Sequence, residues 1–155
     1  MKKAGGSIIP EEVRFLEKIA NKIYVIKPSR VVIEISPNDL RKAVNMLKEN
    51  LGDTGFYVNT IVGTDYPKDK AIQVDYYITL VPSEKTFVLR TRISRENPVI
   101  DSLIDLVPGV FPGECETHDL LGVVFNGNRY LKRGFFAPAD IVDKNIYPLR
   151  KDSGV

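Results

Sequence analysis

Residues 71–81 alternate, with Ile72, Val74, Tyr76, Ile78 and Leu80 on one parity and Gln73, Asp75, Tyr77 and Thr79 on the other. A period of two puts the apolar set on one face of an extended chain and the polar set on the other, so this stretch is predicted to be a half-buried β-strand. The β-rich runs 56–62 and 86–93 flank it across the short connections 63–70 and 82–85. Three consecutive strands joined this closely predict an antiparallel meander. Two further runs, Tyr24-Val25-Ile26 and Val31-Val32-Ile33-Glu34-Ile35, read as strands around a turn at residues 27–30.

Helices are expected to cover the apolar face of such a sheet. Ser36-Pro37-Asn38-Asp39 approximates a capping box with Pro at the first helical position, and Leu40, Ala43, Val44, Leu47 and Leu51 follow on one face up to Gly52. An earlier helix is predicted from Pro10, with Glu11 and Glu12 in its first turn and Leu16, Ile19, Ala20 and Ile23 along it. Asn97-Pro98 opens a short helical pattern through Ile100, Leu103, Ile104 and Val107, and a second short helix runs from near Pro112 to Gly122. Beyond Gly127 both periods vanish. The expected fold is α+β, an antiparallel or mixed sheet of about four to five strands with two to three packed helices. An extended, irregular C-terminal arm follows, with residues 1–126 forming the domain and 127–155 an arm within the same unit.

A chain of 155 residues, 43% of them hydrophobic, can bury one core. Its net charge of +2 is too small a field to steer it onto nucleic acid. No run of ~18 apolar residues is present, so no direct membrane span is expected.

The densest chemistry lies in Glu114-Cys115-Glu116-Thr117-His118-Asp119-Leu120-Leu121-Gly122. Cys115 and His118 share a helical face, but a zinc site needs about three or four protein ligands and the chain offers one Cys and one His. Glu114, Glu116 and Asp119 leave three readings open: an acidic first turn favoured by the helix dipole, charges paired at an interface, or acid–base catalysis with His118. Arg129, Lys132, Arg133, Arg150 and Lys151 form the basic complement. No glycine-rich nucleotide loop is present. The aromatic and aliphatic groups of the arm, among them Tyr130, Phe135, Phe136 and Tyr147, are expected to cover apolar surface on this domain or on another chain.

Glu114, Glu116, Asp119, Leu121, Gly122, Val123, Phe125, Gly127 and Leu131, with Arg133 two residues on, fit one motif. Pro148-Leu149-Arg150-Lys151-Asp152 fits a second. Together they resemble the thirty-kilodalton-type subunit of respiratory complex I, the NADH:quinone oxidoreductase. Cys115 stands where that family usually has Arg, Asn128-Arg129 where it usually has His-Pro, and the chain closes soon after the second motif. These departures resemble the version found in membrane-bound nickel–iron (NiFe) hydrogenases and related complexes.

The resemblance implies a non-catalytic structural and assembly subunit of a membrane-bound oxidoreductase, in its peripheral module on the cytoplasmic side. It implies docking on the hydrogenase-like large subunit, proximity to the iron–sulfur small subunit, and only indirect contact with membrane-anchor subunits. It further implies no catalytic, cofactor-binding or metal residues on this chain, with iron–sulfur clusters and, in a hydrogenase-type complex, a NiFe centre on partner subunits. The interface residues it points to are Glu114, Glu116, Asp119, Gly122, Phe125, Arg133, Pro148, Arg150, Lys151 and Asp152. The alternatives are a stand-alone enzyme built on Glu114, Glu116, Asp119 and His118, and an adaptor domain outside any redox complex.

Overall fold

A computed structural model describes residues 8–26 and 28–155. Five strands, β1 (Lys22–Ile26), β2 (Arg30–Glu34), β3 (Phe56–Tyr66), β4 (Ala71–Leu80) and β5 (Thr86–Ser94), form one sheet in the order β1-β2-β5-β4-β3. The expected meander is β3-β4-β5, paired antiparallel throughout. Strand β2 then joins β5 in parallel, Val32 opposite Val88, which makes the sheet mixed. The turn predicted at 27–30 includes Lys27, which lies outside the described residues, as do residues 1–7 of the domain.

Helix α1 (Leu40–Leu51) lays Leu40, Ala43, Val44 and Leu47 on the sheet. Each Leu or Val buried this way contributes about 1.5–3 kcal/mol relative to exposure. Its start differs from the expected capping box. Ser36 makes no side-chain cap; instead its carbonyl accepts from Asp39 N–H at 2.9 Å, and residues 37–39 form a 3-10 turn leading into the helix. Gly52 ends α1 at φ +74°, its N–H bonded to the Lys48 carbonyl.

The first predicted helix is a 3-10 segment, Glu11–Lys18, kinked at Val13, and Ile23 belongs to β1. Val13 and Leu16, its buried residues, are three apart, the repeat of a 3-10 helix rather than an α-helix. The helix expected over Ile100–Val107 is also corrected. Residues Val99–Asp101 form β6, parallel to β7 (Val124–Asn126), and only residues 103–107 close a single turn through Val107 N–H to the Leu103 carbonyl. Bonds from Val124 N–H to Pro98 and from Ser102 N–H to Asn126 hold the extended form at both ends.

The polar parity of β4 is buried too: Gln73, Asp75 and Thr79 are 3%, 4% and 6% exposed. The strand lies at the centre of the meander, and side chains of its neighbours close over it. Arg90 grips Asp75 through two 2.8 Å bonds, Arg92 reaches Gln73, and Thr79 donates to Asn59. A bulge between Val58 and Thr60 in β3 lets both Phe56 and Ile61 face the core despite opposite parity.

Helix α2 (Phe111–Leu121) crosses β3 where the chain has no side chain. A Cβ at Gly63 would overlap Leu121 Cδ1, and one at Gly113 would stand 3.0 Å from Ile61. The arm then runs irregularly, apart from the short α3 (Ala139–Asp143).

Candidate docking site

The three carboxylates of α2 point in different directions because their spacing spreads them around the helix. Glu114 is fully buried. It accepts from Ser102 Oγ at 2.6 Å, Leu103 N–H at 2.8 Å and Asn128 Nδ2 at 2.9 Å, tying the turn after β6 to the start of the arm. Glu116 is exposed.

Asp119 is fully buried on the side of α2 that faces the arm. It accepts from Arg133 Nε (3.0 Å) and from the backbone N–H groups of Gly134 (3.0 Å), Phe136 (2.6 Å) and Ala137 (2.9 Å). Burial by itself would raise its pKa, but the backbone donors and Arg133 together reverse this and hold it at about 2. The carboxylate thus replaces the missing secondary-structure partners of an irregular segment, whose buried N–H groups need acceptors. Arg133 also donates to the Ile146 carbonyl and lies with its guanidinium carbon 4.1 Å from the Tyr147 ring centre.

Gly122 closes α2 in the left-handed region at φ +80°, and a Cβ there would come within 3.1 Å of the Tyr147 ring. Its single hydrogen permits both the helix end and the arm's approach. The Pro148–Asp152 motif then returns over the domain. Leu149 N–H bonds to the Leu120 carbonyl, Arg150 bridges the carbonyls of Leu121 (2.8 Å) and Arg95 (3.1 Å), and Lys151 N–H donates to Asp65. Asp65 was not anticipated from sequence. It is buried on β3 and gripped by Arg95 at 2.7 and 3.0 Å, while Arg95 Nη2 also reaches Asp152 at 2.7 Å. The Arg95 bonds, with the Lys151 N–H, lower the Asp65 pKa against its burial.

Of the charges anticipated for docking, Asp119 and Arg133 meet directly, and with Glu114, Arg150 and Asp152 they tie this chain's own arm to its domain, whereas Glu116 is exposed. Glu114 and Asp119 are turned inward by their donors, and Phe125 is 1% exposed within the core. The outward position falls instead to apolar groups. Tyr130 is 52% exposed, Phe135 59%, Phe136 44% and Leu149 51%. Phe111 of α2 meets Tyr130 and Phe135 edge-on at 5.8 and 6.5 Å, and Phe135 meets Phe136 at 5.0 Å. A shallow cavity of about 560 Å³ adjoins this patch, lined by Ile104, Pro108, Phe111 and Tyr130.

His118 and Cys115 serve local structure. His118 Nδ1 bonds the Val123 carbonyl at 2.8 Å, and the Cys115 thiol is buried, which together with the nearby Glu114 and Asp119 charges pushes its pKa up. Among the described residues, no group of three or more His, Cys, Asp or Glu side chains is placed to hold a metal ion.

Comparison with known proteins agrees with this architecture. The chain is 32% identical over 118 residues to a subunit of the NADH-quinone oxidoreductase of Moorella thermoacetica, covering 76% of each. Its fold resembles a chain of the archaeal membrane-bound sulfane sulfur reductase, with a TM-score of 0.75 over 90% of this chain and 81% of that one at 24% identity. It likewise resembles a trypsin-resistant fragment of Nqo5, with a TM-score of 0.63 at 22% identity over 76% of this chain and 92% of the fragment. The family model described as the respiratory-chain NADH dehydrogenase 30 kDa subunit matches residues 33–155, a span that holds the whole β3-β4-β5 meander, the end of β2, the acidic helix and the whole arm, and the chain belongs to that family.

Proposed function

We propose that this chain is a non-catalytic assembly subunit of a membrane-bound redox complex, and that it docks on the hydrogenase-like large subunit through the outer face of its C-terminal arm. The carrying observation is the pinned arm. Asp119, Asp65, Arg133 and Arg150 fix its backbone from within, while Tyr130, Phe135 and Phe136 stand exposed, Phe135 against Phe136 and Tyr130 joined to Phe135 through Phe111. Rigid aromatic side chains on a preorganised segment lose little entropy on binding, and they dominate the centres of protein interfaces. The interface role first attached to Glu114, Asp119, Gly122, Arg133, Pro148 and Arg150 is then indirect, since they set the arm's shape. Glu116, Lys151 and Asp152 are exposed and lie outside that internal pinning of the aromatic segment.

The redox chemistry belongs to partners in this reading. One Cys cannot supply the thiolates of an iron–sulfur cluster, so such clusters, and a NiFe centre if the complex is a hydrogenase, reside on neighbouring subunits. No helix among the described residues is long and apolar enough to cross a membrane. In this reading the chain is held on the cytoplasmic side through those neighbours.

The test is co-purification of the complex from cells carrying Phe135→Ser with Phe136→Ser. Recovery of the other subunits should fall at least tenfold while the isolated variant melts within about 2 °C of the parent, since exposed positions are energetically near neutral for the fold. Full recovery of an active complex would refute the arm as the docking element.

A further inference from the structure

The sheet has a second face, of opposite parity to the core. Two continuous rows cross β1, β2, β5 and β4 on it, Lys22, Glu34, Arg90, Asp75 and, beside it, Tyr24, Val32, Val88, Tyr77. Val32 and Val88 are fully buried, yet neither belongs to the apolar cluster that the helices share. Their cross-strand neighbours are the two tyrosines, whose rings carry cations. Arg30 lies 5.0 Å from the Tyr77 ring centre, and Lys22 and Arg90 lie 5.3 and 5.8 Å from that of Tyr24. At the far end of the same face, Arg92 and Lys151 lie 5.1 and 6.0 Å from the ring centre of Tyr66.

The charges of this face do not balance. Asp75 is taken by Arg90, and Glu34, opposite Lys22 in register, is approached by Tyr24 Oη at 3.4 Å. Arg92 meets Asp69 only at 3.5 Å with both side chains exposed. Among the described residues, Lys22, Arg30 and Lys151 form no ion pair. A solvated antiparallel face is normally polar and electrically mixed. This one presents cations held flat against tyrosines, a preorganised array of the residue types enriched at interface centres.

We propose that the open face of the main sheet is a second docking surface, and that its occupant is an extended, carboxylate-bearing segment of another subunit of the complex. The inference rests on the chain being one subunit of a larger assembly. It uses a different surface from the arm's aromatic patch, which is built on Phe111 of α2 over the core side of the sheet. Planar guanidinium groups such as those of Arg30 and Arg92 pair carboxylates through two parallel bonds, and Lys22 and Lys151 supply point charges beside them. A nucleic-acid backbone would need a broader positive field than a net charge of +2 provides.

The experiment uses the assembled complex and the isolated chain side by side. Lysine acetylation read by mass spectrometry should modify Lys22 several-fold more slowly in the complex. Zero-length carbodiimide coupling should join Lys22 or Lys151 to an Asp or Glu of another subunit. Arg30→Glu with Arg92→Glu should abolish those links, and the melting of the isolated variant, measured alongside, separates lost docking from a weakened fold. Equal acetylation of Lys22 in both states overturns the proposal, and so does protection without any link to a carboxylate, which assigns the face to another kind of occupant. A wild-type chain that co-purifies with no other subunit removes both this surface and the proposed function. An unprotected Lys22 in a recovered complex removes this surface alone.

Discussion

Replacing Asp119 with Ala takes one carboxylate away from four donors at once: Arg133 Nε and the N–H groups of Gly134, Phe136 and Ala137. Arg133 would be left with its guanidinium mostly buried, and its Nη1 is already without a partner. Breaking a buried ion pair by deleting one member costs ~3–5 kcal/mol, and the stranded backbone donors push toward the upper end. For a chain of this length that is a fall in melting temperature of about 6–20 °C. The arm can release this cost by peeling away locally, which caps the global loss at the arm's own docking free energy. Two readouts are therefore needed, urea or thermal unfolding and amide hydrogen exchange of the segment 133–137. The expected result is a clear loss of stability together with loss of protection in that segment. A change below about 0.5 kcal/mol with protection intact would refute the pinning argument, because such a value is typical of a solvated surface charge.

The same carboxylate predicts the acid limb of stability. Its folded pKa of about 2 lies below the ordinary 3.8, so its stabilisation is complete above pH ~4 and drains away as pH falls through about 2; Asp65, shifted the same way, steepens the limb. An acid-unfolding series in which Asp119→Asn shows a shallower limb than the parent checks this, and parallel limbs contradict it. Gly122→Ala should cost ~1–2 kcal/mol through the left-handed backbone and the Tyr147 ring, measured by denaturant unfolding. A neutral result would mean that the arm does not approach that backbone. Glu114→Gln should be milder than Glu114→Ala in the same assay, because the amide keeps one acceptor oxygen, enough for Leu103 N–H, while the bonds from Ser102 and Asn128 to the other oxygen are lost in both.

The strands of the meander were legible because alternation over ten residues is a local property, as in β4. The position of β2 beside β5 was not, since a parallel pairing between residues 31–34 and 87–90 leaves no trace in either segment alone. The apolar residues Ile100, Leu103, Ile104 and Val107 fit a helix by spacing, but the bonds of β6 to a strand beyond α2 overrode that preference. For the site, the sequence disclosed that carboxylates gather on a short helix ending at Gly122. It could not disclose which of them turn inward, because the acceptor role of Asp119 depends on where residues 133–137 return. Asp65 gave no such signal, since it fell in the connection expected at 63–70 whereas β3 runs on through Tyr66, and its partner Arg95 is thirty residues away.

A structure of the assembled complex tests the central claim most directly. The account predicts that Asp119 still holds Arg133, Gly134, Phe136 and Ala137 within the same chain while Tyr130, Phe135 and Phe136 become buried against another subunit. An arm lifted off α2, with Asp119 paired to a partner's cation and the three aromatic rings facing solvent, would contradict it.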